Sequence, residues 1–382
     1  MKLYSNRAGT LYRVQSGYDC YVPKPLNNIS INIDEEMEHY LSEANLYLGR
    51  LDGLAINLPD RDLFISMYVE KEAVVSSQIE GTQASLSDVL QKNNKEKRKE
   101  TEEIVNYVHS LNYGIELMNS LPISIRYIKE IHKELLNGVR GKNKNPGELR
   151  RSQNWIGPGG CTLSNATLVP PNVDKMIESL NDLELYINSD TNLSFLIKIA
   201  LIHYQFETIH PFLDGNGRLG RLLIILWLKY NKYLNYPLLY LSLYFKQNRN
   251  EYYSHLMDVR FKGKYEEWIK FFLKGIIEMA SNSIETISKI VLLKENVNKK
   301  IDGLKFKNKD TYFKVINYLY RHPYFTSNDL LEEFRLSKPT VSKIIAELIR
   351  LGVIKATNNK QRYVTYKFFE YVDILEYGTE IQ

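Results

Sequence analysis

His210-Pro211-Phe212-Leu213-Asp214-Gly215-Asn216-Gly217-Arg218-Leu219-Gly220-Arg221 is the stretch on which the reading of this chain turns. Apolar residues at helical spacing lead into it from Leu193 to Ile209, and a second apolar helix leaves it from Leu219 to Tyr230. It reads as a polar, glycine-rich loop between two helices. Gly215 and Gly217 permit backbone conformations that side chains resist, so successive N–H groups can turn inward as a nest for an anion. The helix that begins there adds unpaired N–H groups and the positive end of its dipole. Arg218 and Arg221 are three apart, hence on one helix face, and both can grip one polyphosphate with paired hydrogen bonds. Asp214 is a hard oxygen ligand suited to Mg²⁺. His210 titrates near neutral pH and can take a proton. No Gly-Lys-Ser/Thr follows, so this is not a Walker loop. A helix rather than a strand precedes it, so it is not a dinucleotide fingerprint.

The surroundings are mostly helical. Met37, Leu41, Ala44, Leu48 and Leu51 recur at spacings of three and four, and helices are expected over Asp60–Ile79, near Ser85, and over Ile104–Met118, Ile123–Leu136 and Val173–Ile187. Further helices are expected at Glu251–Val259 and Tyr265–Val291. Residues 1–33 carry no sustained period and read as an extended arm. The charge run 92–100 reads as a solvated turn. Gly141–Pro171 is rich in Gly, Pro and Asn and reads as a long loop or hairpin.

After a Lys- and Asn-rich linker, Lys294–Lys309, the last segment has its own grammar. Helices are expected at Tyr312–Tyr320, at Ser327–Phe334 with Ser327 as N-cap, and at Lys338–Arg350 with Pro339 in the first turn. Gly352 stops the third, and strands at Val353–Ala356 and Tyr363–Tyr366 flank a polar tip. That order is a winged helix. The expected division is 1–100, 101–292, a linker 293–309, and 310–382.

Composition bounds the rest. The chain has 382 residues, and 50 basic against 45 acidic side chains give a formal charge of +5. That length allows two or three domains, and the charge is too diffuse to indicate nucleic acid by itself. Two cysteines, Cys20 and Cys161, argue against a disulfide framework and a four-cysteine zinc site. The start has no apolar signal core, and the run Leu222–Leu228 is too short to span a bilayer. The expectation is a cytoplasmic protein with no membrane association.

The 210–221 segment resembles the signature of the Fic (Fic/DOC) family, His-x-Phe-x-Asp/Glu-Gly-Asn-Gly-Arg-x-x-Arg, at every defined position. The resemblance implies a mainly α fold: an all-helical Fic core with a short β-hairpin flap, followed by a small α+β winged-helix domain. It also implies a nucleotidyltransferase that moves AMP from ATP, with Mg²⁺, onto a Tyr, Thr or Ser hydroxyl of a target protein. His210 would be the general base and Asp214 the Mg²⁺ ligand. Gly215, Asn216, Gly217, Leu219 and Gly220 fall in the phosphate-binding loop, Arg218 would hold the β-phosphate, and Arg221 the γ-phosphate. Phe212 would be a buried anchor. Asn154–Gly160 matches the flap, where Ile156, Gly157, Pro158 and Gly159 would border the nucleotide. Tyr252 and Tyr253 fall where the family places an adenine-contacting pair. His203, seven residues before His210, reads as a core residue.

Ser76-Ser77-Gln78-Ile79-Glu80-Gly81 resembles the family's inhibitory pattern, Ser/Thr-x-x-x-Glu-Gly/Asn, placed before the core. By that resemblance Glu80 pairs with Arg221 and keeps the γ-phosphate out, with Ser76 as the other motif position. The same glutamate could instead serve removal of AMP from a modified target, and both directions stay open. So does a DNA-binding regulator whose Fic core senses ATP. Lys338, Lys343 and Arg350 on the third C-terminal helix, with Lys355, Lys360 and Arg362 near the wing, are the residues that DNA would meet. A homodimer is left open.

Overall fold

The computed structural model describes residues 3–56, 58, 61–91, 98–138, 143–305, 309–358 and 364–381. The chain opens with a two-stranded antiparallel hairpin, β1 (Gly9–Arg13) and β2 (Asp19–Pro23), in register from Gly9 opposite Pro23 to Arg13 opposite Asp19. The extended arm expected over 1–33 is thus paired. Gly17 turns it at a left-handed φ of 94°, and Cys20 and Tyr21 are buried.

Eleven of the described helices build the body. They are α1 (Glu35–Ile56), α2 (Arg61–Ile79), α3 (Leu86–Leu90), α4 (Arg98–Leu117), α5 (Ile125–Leu135) and α6 (Val173–Asn188), then α7 (Phe195–Ile209), α8 (Asn216–Tyr230), α9 (Leu241–Gln247), α10 (Arg249–Lys262) and α11 (Tyr265–Asp302). Ser124 starts α5 by accepting the Tyr127 N–H, and Tyr127, Ile128, Ile131, His132 and Leu135 form its buried stripe. From Leu196 to Ile209, α7 is buried on every side, as a helix at the centre of a bundle must be. It lies between α6, α8 and α11, while α2 packs on α4 and α9, and α1 runs along α11.

One boundary differs from expectation. The linker read at Lys294–Lys309 is helical up to Asp302. Leu293, Val297 and Ile301 are buried four residues apart and continue the stripe of Ile287 and Ile290, while the Lys and Asn residues that suggested a linker occupy the other face.

The C-terminal unit is α12 (Lys309–Arg321), β3 (Tyr324–Thr326), α13 (Ser327–Phe334), α14 (Lys338–Arg350), β4 (Lys355–Ala356), β5 (Thr365–Lys367) and α15 (Phe369–Glu376). The strands pair antiparallel in the order β3-β5-β4, which with α12–α14 is a winged helix. Thr326, not Ser327, caps α13: its hydroxyl accepts the Asp329 N–H while the Asp329 carboxylate accepts the Thr326 N–H. Neither β3 nor α15 was anticipated, and α15 turns back to pack on α2, α3 and α11. The charge run at 92–97, Lys360, Arg362 and Tyr363 lie outside the described residues.

Candidate active site

The signature segment sits where α7 ends and α8 begins. Its first residue, His210, closes α7 in a left-handed conformation (φ 51°, ψ 60°), which costs a non-glycine residue roughly 1–2 kcal/mol. Its neighbours enforce that shape. The His210 carbonyl accepts from Arg150 Nε at 3.0 Å and from Asn154 Nδ2 at 3.2 Å, and Asn154 Nδ2 also reaches the Phe212 carbonyl at 3.1 Å. Arg150 is buried and ties the loop further through the Ser152 and Pro171 carbonyls. Burial, then the positive charges of Arg260 and Arg150, push the His210 imidazole down to about 4. It is neutral at neutral pH and able to accept a proton.

Phe212 is fully buried, as expected, and stacks on His132 at 3.8 Å between ring centroids. His132 was not singled out from sequence. Its Nδ1 accepts the Gly147 N–H at 2.8 Å, so its Nε2 carries the proton that bonds the Asp214 carbonyl at 3.0 Å. Asn216 uses both ends of its amide on the Phe212 backbone, at 2.9 and 2.8 Å. It braces the loop from within.

The glycines divide into different tasks. Gly215 is left-handed at φ 78°, as an inward-turning nest requires. Gly217 is already helical, so space rather than conformation demands a glycine there. A Cβ would stand 2.2 Å from Glu80 Oε1 and 3.1 Å from Arg221 Nη1. Leu219 is fully buried, and Gly220 packs against Glu207, whose Oε1 would lie 2.3 Å from its Cβ. Both face the core.

The two arginines are both engaged. Arg218 Nη1 meets Glu103 Oε2 at 3.4 Å, and Glu103 also accepts from Thr82 Oγ1 at 3.2 Å. Arg221 donates Nε to Ser76 Oγ at 2.9 Å and Nη2 to the Ser76 carbonyl at 2.9 Å and to Glu80 Oε1 at 2.7 Å. The Arg221 side chain is 2% accessible and that of Glu80 39%. Burial opposes ionisation of Glu80, but Arg221 more than offsets it and holds the carboxyl below its usual range. Ser76 lies in the last turn of α2 and Glu80 is the first residue past its end, and both are turned to Arg221. At the end of α2, Gly81 is left-handed at φ 97°, and the Thr82 N–H returns to the Ser77 carbonyl at 3.2 Å.

The flap has less strand than a hairpin. One antiparallel bridge, Ile156 with Leu168 (2.8 and 3.0 Å), closes it. Gly157, Pro158 and Gly159 are exposed, and Trp155 stands half-open with its Nε1 on the Cys161 carbonyl. Tyr252 is buried and gives its hydroxyl to His203 Nε2 at 2.9 Å, while His203 Nδ1 bonds the Gly220 carbonyl at 3.2 Å. Both are core residues. Tyr253 is 41% exposed, with the Arg249 guanidinium 5.8 Å from its ring centroid.

Asp214 is the only expected metal ligand, and among the described residues no group of three or more His, Cys, Asp or Glu is placed to hold a metal. Its Oδ1 accepts the Gly215 N–H at 2.7 Å and its side chain is 36% accessible. One open carboxylate fits Mg²⁺, which takes one or two protein oxygens and the rest from phosphates and water.

Comparison with known proteins agrees with this arrangement. A family model described as "Fic/DOC family N-terminal" matches residues 39–116, and one described as "Fic/DOC family" matches residues 122–228. A "MarR family" model matches residues 309–362. Curated relatives named "Protein adenylyltransferase Fic" from Drosophila yakuba and Drosophila melanogaster are 31% and 30% identical over 157 residues. That aligned stretch covers 41% of this chain and 28% of the relative's own length in each case. A solved Fic family protein from Desulfovibrio desulfuricans superposes with a TM-score of 0.59 at 21% identity, covering 88% of this chain and 97% of that one. A Fic domain containing signaling protein from Bacteroides thetaiotaomicron gives 0.51 at 17% identity, covering 66% and 97%. With the whole signature folded around one loop, and both family models matched in chain order before a winged helix, residues 39–228 form a Fic/DOC family region.

Proposed function

We propose that this chain is a protein adenylyltransferase, held in check by its own Glu80. The reading rests above all on the convergence of neutral His210, open Asp214 and the arginines Arg218 and Arg221 on one loop. His210 takes the proton of a Tyr, Thr or Ser hydroxyl on the target. That oxygen bonds to the α-phosphorus of ATP, the bond from the α-phosphorus to its bridging oxygen breaks, and pyrophosphate leaves. Arg218, Arg221 and the Gly215 and Gly217 amides neutralise the phosphate chain and hold it in line. Mg²⁺, when bound at Asp214, supplies charge neutralisation on the phosphates. Ile156 to Gly159 border the nucleotide, the flap edge aligns the target backbone, and Tyr253 meets the adenine face.

Glu80 opposes all of this by occupying Arg221. With Arg221 buried and Glu80 half-open, a bias of about 2 kcal/mol, or roughly 30-fold, is a reasonable scale. Labelling of the protein itself and of a lysate with α-labelled ATP tests the reading. Glu80→Gly should raise incorporation about 10-fold or more, and adding His210→Ala should abolish it. Label that survives His210→Ala would remove the base from the mechanism.

The match of residues 309–362 to the MarR family favours a second property, binding of duplex DNA. On α14, Lys338, Thr340, Ser342 and Lys343 are exposed, whereas Arg350 is paired with Glu347. Gel shifts at two salt concentrations test it. A complex that weakens steeply with salt and with Lys343→Ala supports DNA, and none at low salt excludes it.

A further inference from the structure

The last turn of α2 is held from two sides. Ser76 and Glu80 face Arg221. Gln78, about 200° around the helix from Glu80, faces the other way. There its Nε2 donates to the Ala84 carbonyl at 3.0 Å and to the Thr379 carbonyl at 2.9 Å. Lys246, on α9, completes a seat. Its ammonium donates to Gln78 Oε1 at 2.8 Å and to the Glu380 carbonyl at 2.5 Å. Lys246 and Thr379 are both buried, whereas Glu380 is exposed, so the seat is half-open to water. Gly378 is left-handed at φ 82°, and its Cα lies so near Leu243 that a Cβ would come within 2.7 Å of it. Tyr377 lies over the Lys71 ammonium at 6.0 Å from the ring centroid, and Lys71 is itself on α2 and buried.

We infer that the back of the inhibitory helix is a binding seat for the turn that follows α15, residues Tyr377–Glu380, and that filling it keeps Glu80 on Arg221. The inference rests on the autoinhibitory reading of Glu80. The seated segment follows α15 directly, so it moves with the winged helix. Glu376, the last residue of α15, accepts from Ser87 on α3 and pairs with Lys367 on β5 at 3.3 Å, and Ser87 also meets the Tyr324 hydroxyl of β3 at 2.7 Å. Displacing the winged helix therefore withdraws two backbone oxygens from the seat and leaves Gln78 and Lys246 with only each other and the Ala84 carbonyl. The last turn of α2 then loses its rear support, and Glu80 is freer to yield Arg221 to a phosphate.

The test compares four forms of the chain: intact, cut after Glu376, Glu80→Gly, and the two changes together. The readouts are self-labelling with α-labelled ATP and ATP affinity by calorimetry. The cut alone should raise labelling about fivefold and tighten ATP binding, and it should add nothing on top of Glu80→Gly. A synthetic peptide of residues 374–382 added to the cut chain should lower labelling again, which a purely structural loss would not allow. Lys246→Met, which keeps the chain intact, should reproduce the gain with an unchanged melting transition. The inference is overturned if Glu80→Gly gains activity while neither the cut nor Lys246→Met does, or if the gains add. If Glu80→Gly itself gains nothing, the autoinhibitory reading fails first and the seat's role with it.

Discussion

His210 carries both the chemistry and a strained backbone, and the strain has a visible support. Arg150 and Asn154 converge on its carbonyl from the segment that leads into the flap. Losing the Arg150 contact should let the imidazole drift, and misplacement by about 1 Å can cost up to 100-fold. In the Glu80→Gly background, Arg150→Met should therefore lower the labelling rate roughly 10- to 100-fold, with ATP affinity within about twofold. Initial rates and calorimetry check this, and equal loss in both would assign Arg150 to phosphate binding instead. Arg150 was not legible beforehand. Nothing in its sequence context separates it from Arg151, and only the fold brings a residue 60 positions away onto the His210 carbonyl. Phe212 and the Glu80–Arg221 pair were legible, because a complete motif fixes the spacing of its members, and His203 was legible as core from its place on the helix before the motif. Asn216, Leu219 and Gly220 show the limit: a motif says which residues belong together, not which face each turns.

At the level of elements, apolar spacing located the long helices within a few residues, from α1 to α8, except that α4 starts at Arg98, inside the charge run read as a turn. It failed where an element is short or its exposed face is atypical. The seven residues of α9 and three of β3 are too few to establish a period, and the last turns of α11 hide a buried Leu293, Val297 and Ile301 behind Lys and Asn. The shift of the α13 cap from Ser327 to Thr326 is a direct test of local reading. Thr326→Ala removes the hydroxyl half of the reciprocal cap, leaving the backbone half, and should cost about 1 kcal/mol, whereas Ser327→Ala, at the first helical position, should cost little. Thermal unfolding of the two variants decides it, and a larger loss for Ser327→Ala would reverse the assignment.

The molecule as a whole carries buried acids whose ionisation opposes the fold. Burial pushes Glu72 up to about 7, although Ser242 and Tyr107 both donate to it. Its carboxyl is therefore harder to ionise folded than unfolded. The stability it contributes is complete below its unfolded value near 4.5 and is lost as pH rises through about 7. Glu72→Gln cannot ionise, so the drop in melting temperature between pH 5 and pH 8 should shrink in that variant by a few degrees. Identical pH profiles would show that Glu72 is ionised at no cost. No helix among the described residues is long and apolar enough to cross a membrane.

The 38 residues of α11 are a strut as well as a packing surface. At 1.5 Å per residue the helix is about 57 Å long, rooted beside α7 and ending next to α12. A tilt of about 5° at its root would carry the far end through about 5 Å, more than the length of a hydrogen bond. The winged helix is thus mounted on a lever rather than a tether, and in solution it should tumble with the body at a single rate.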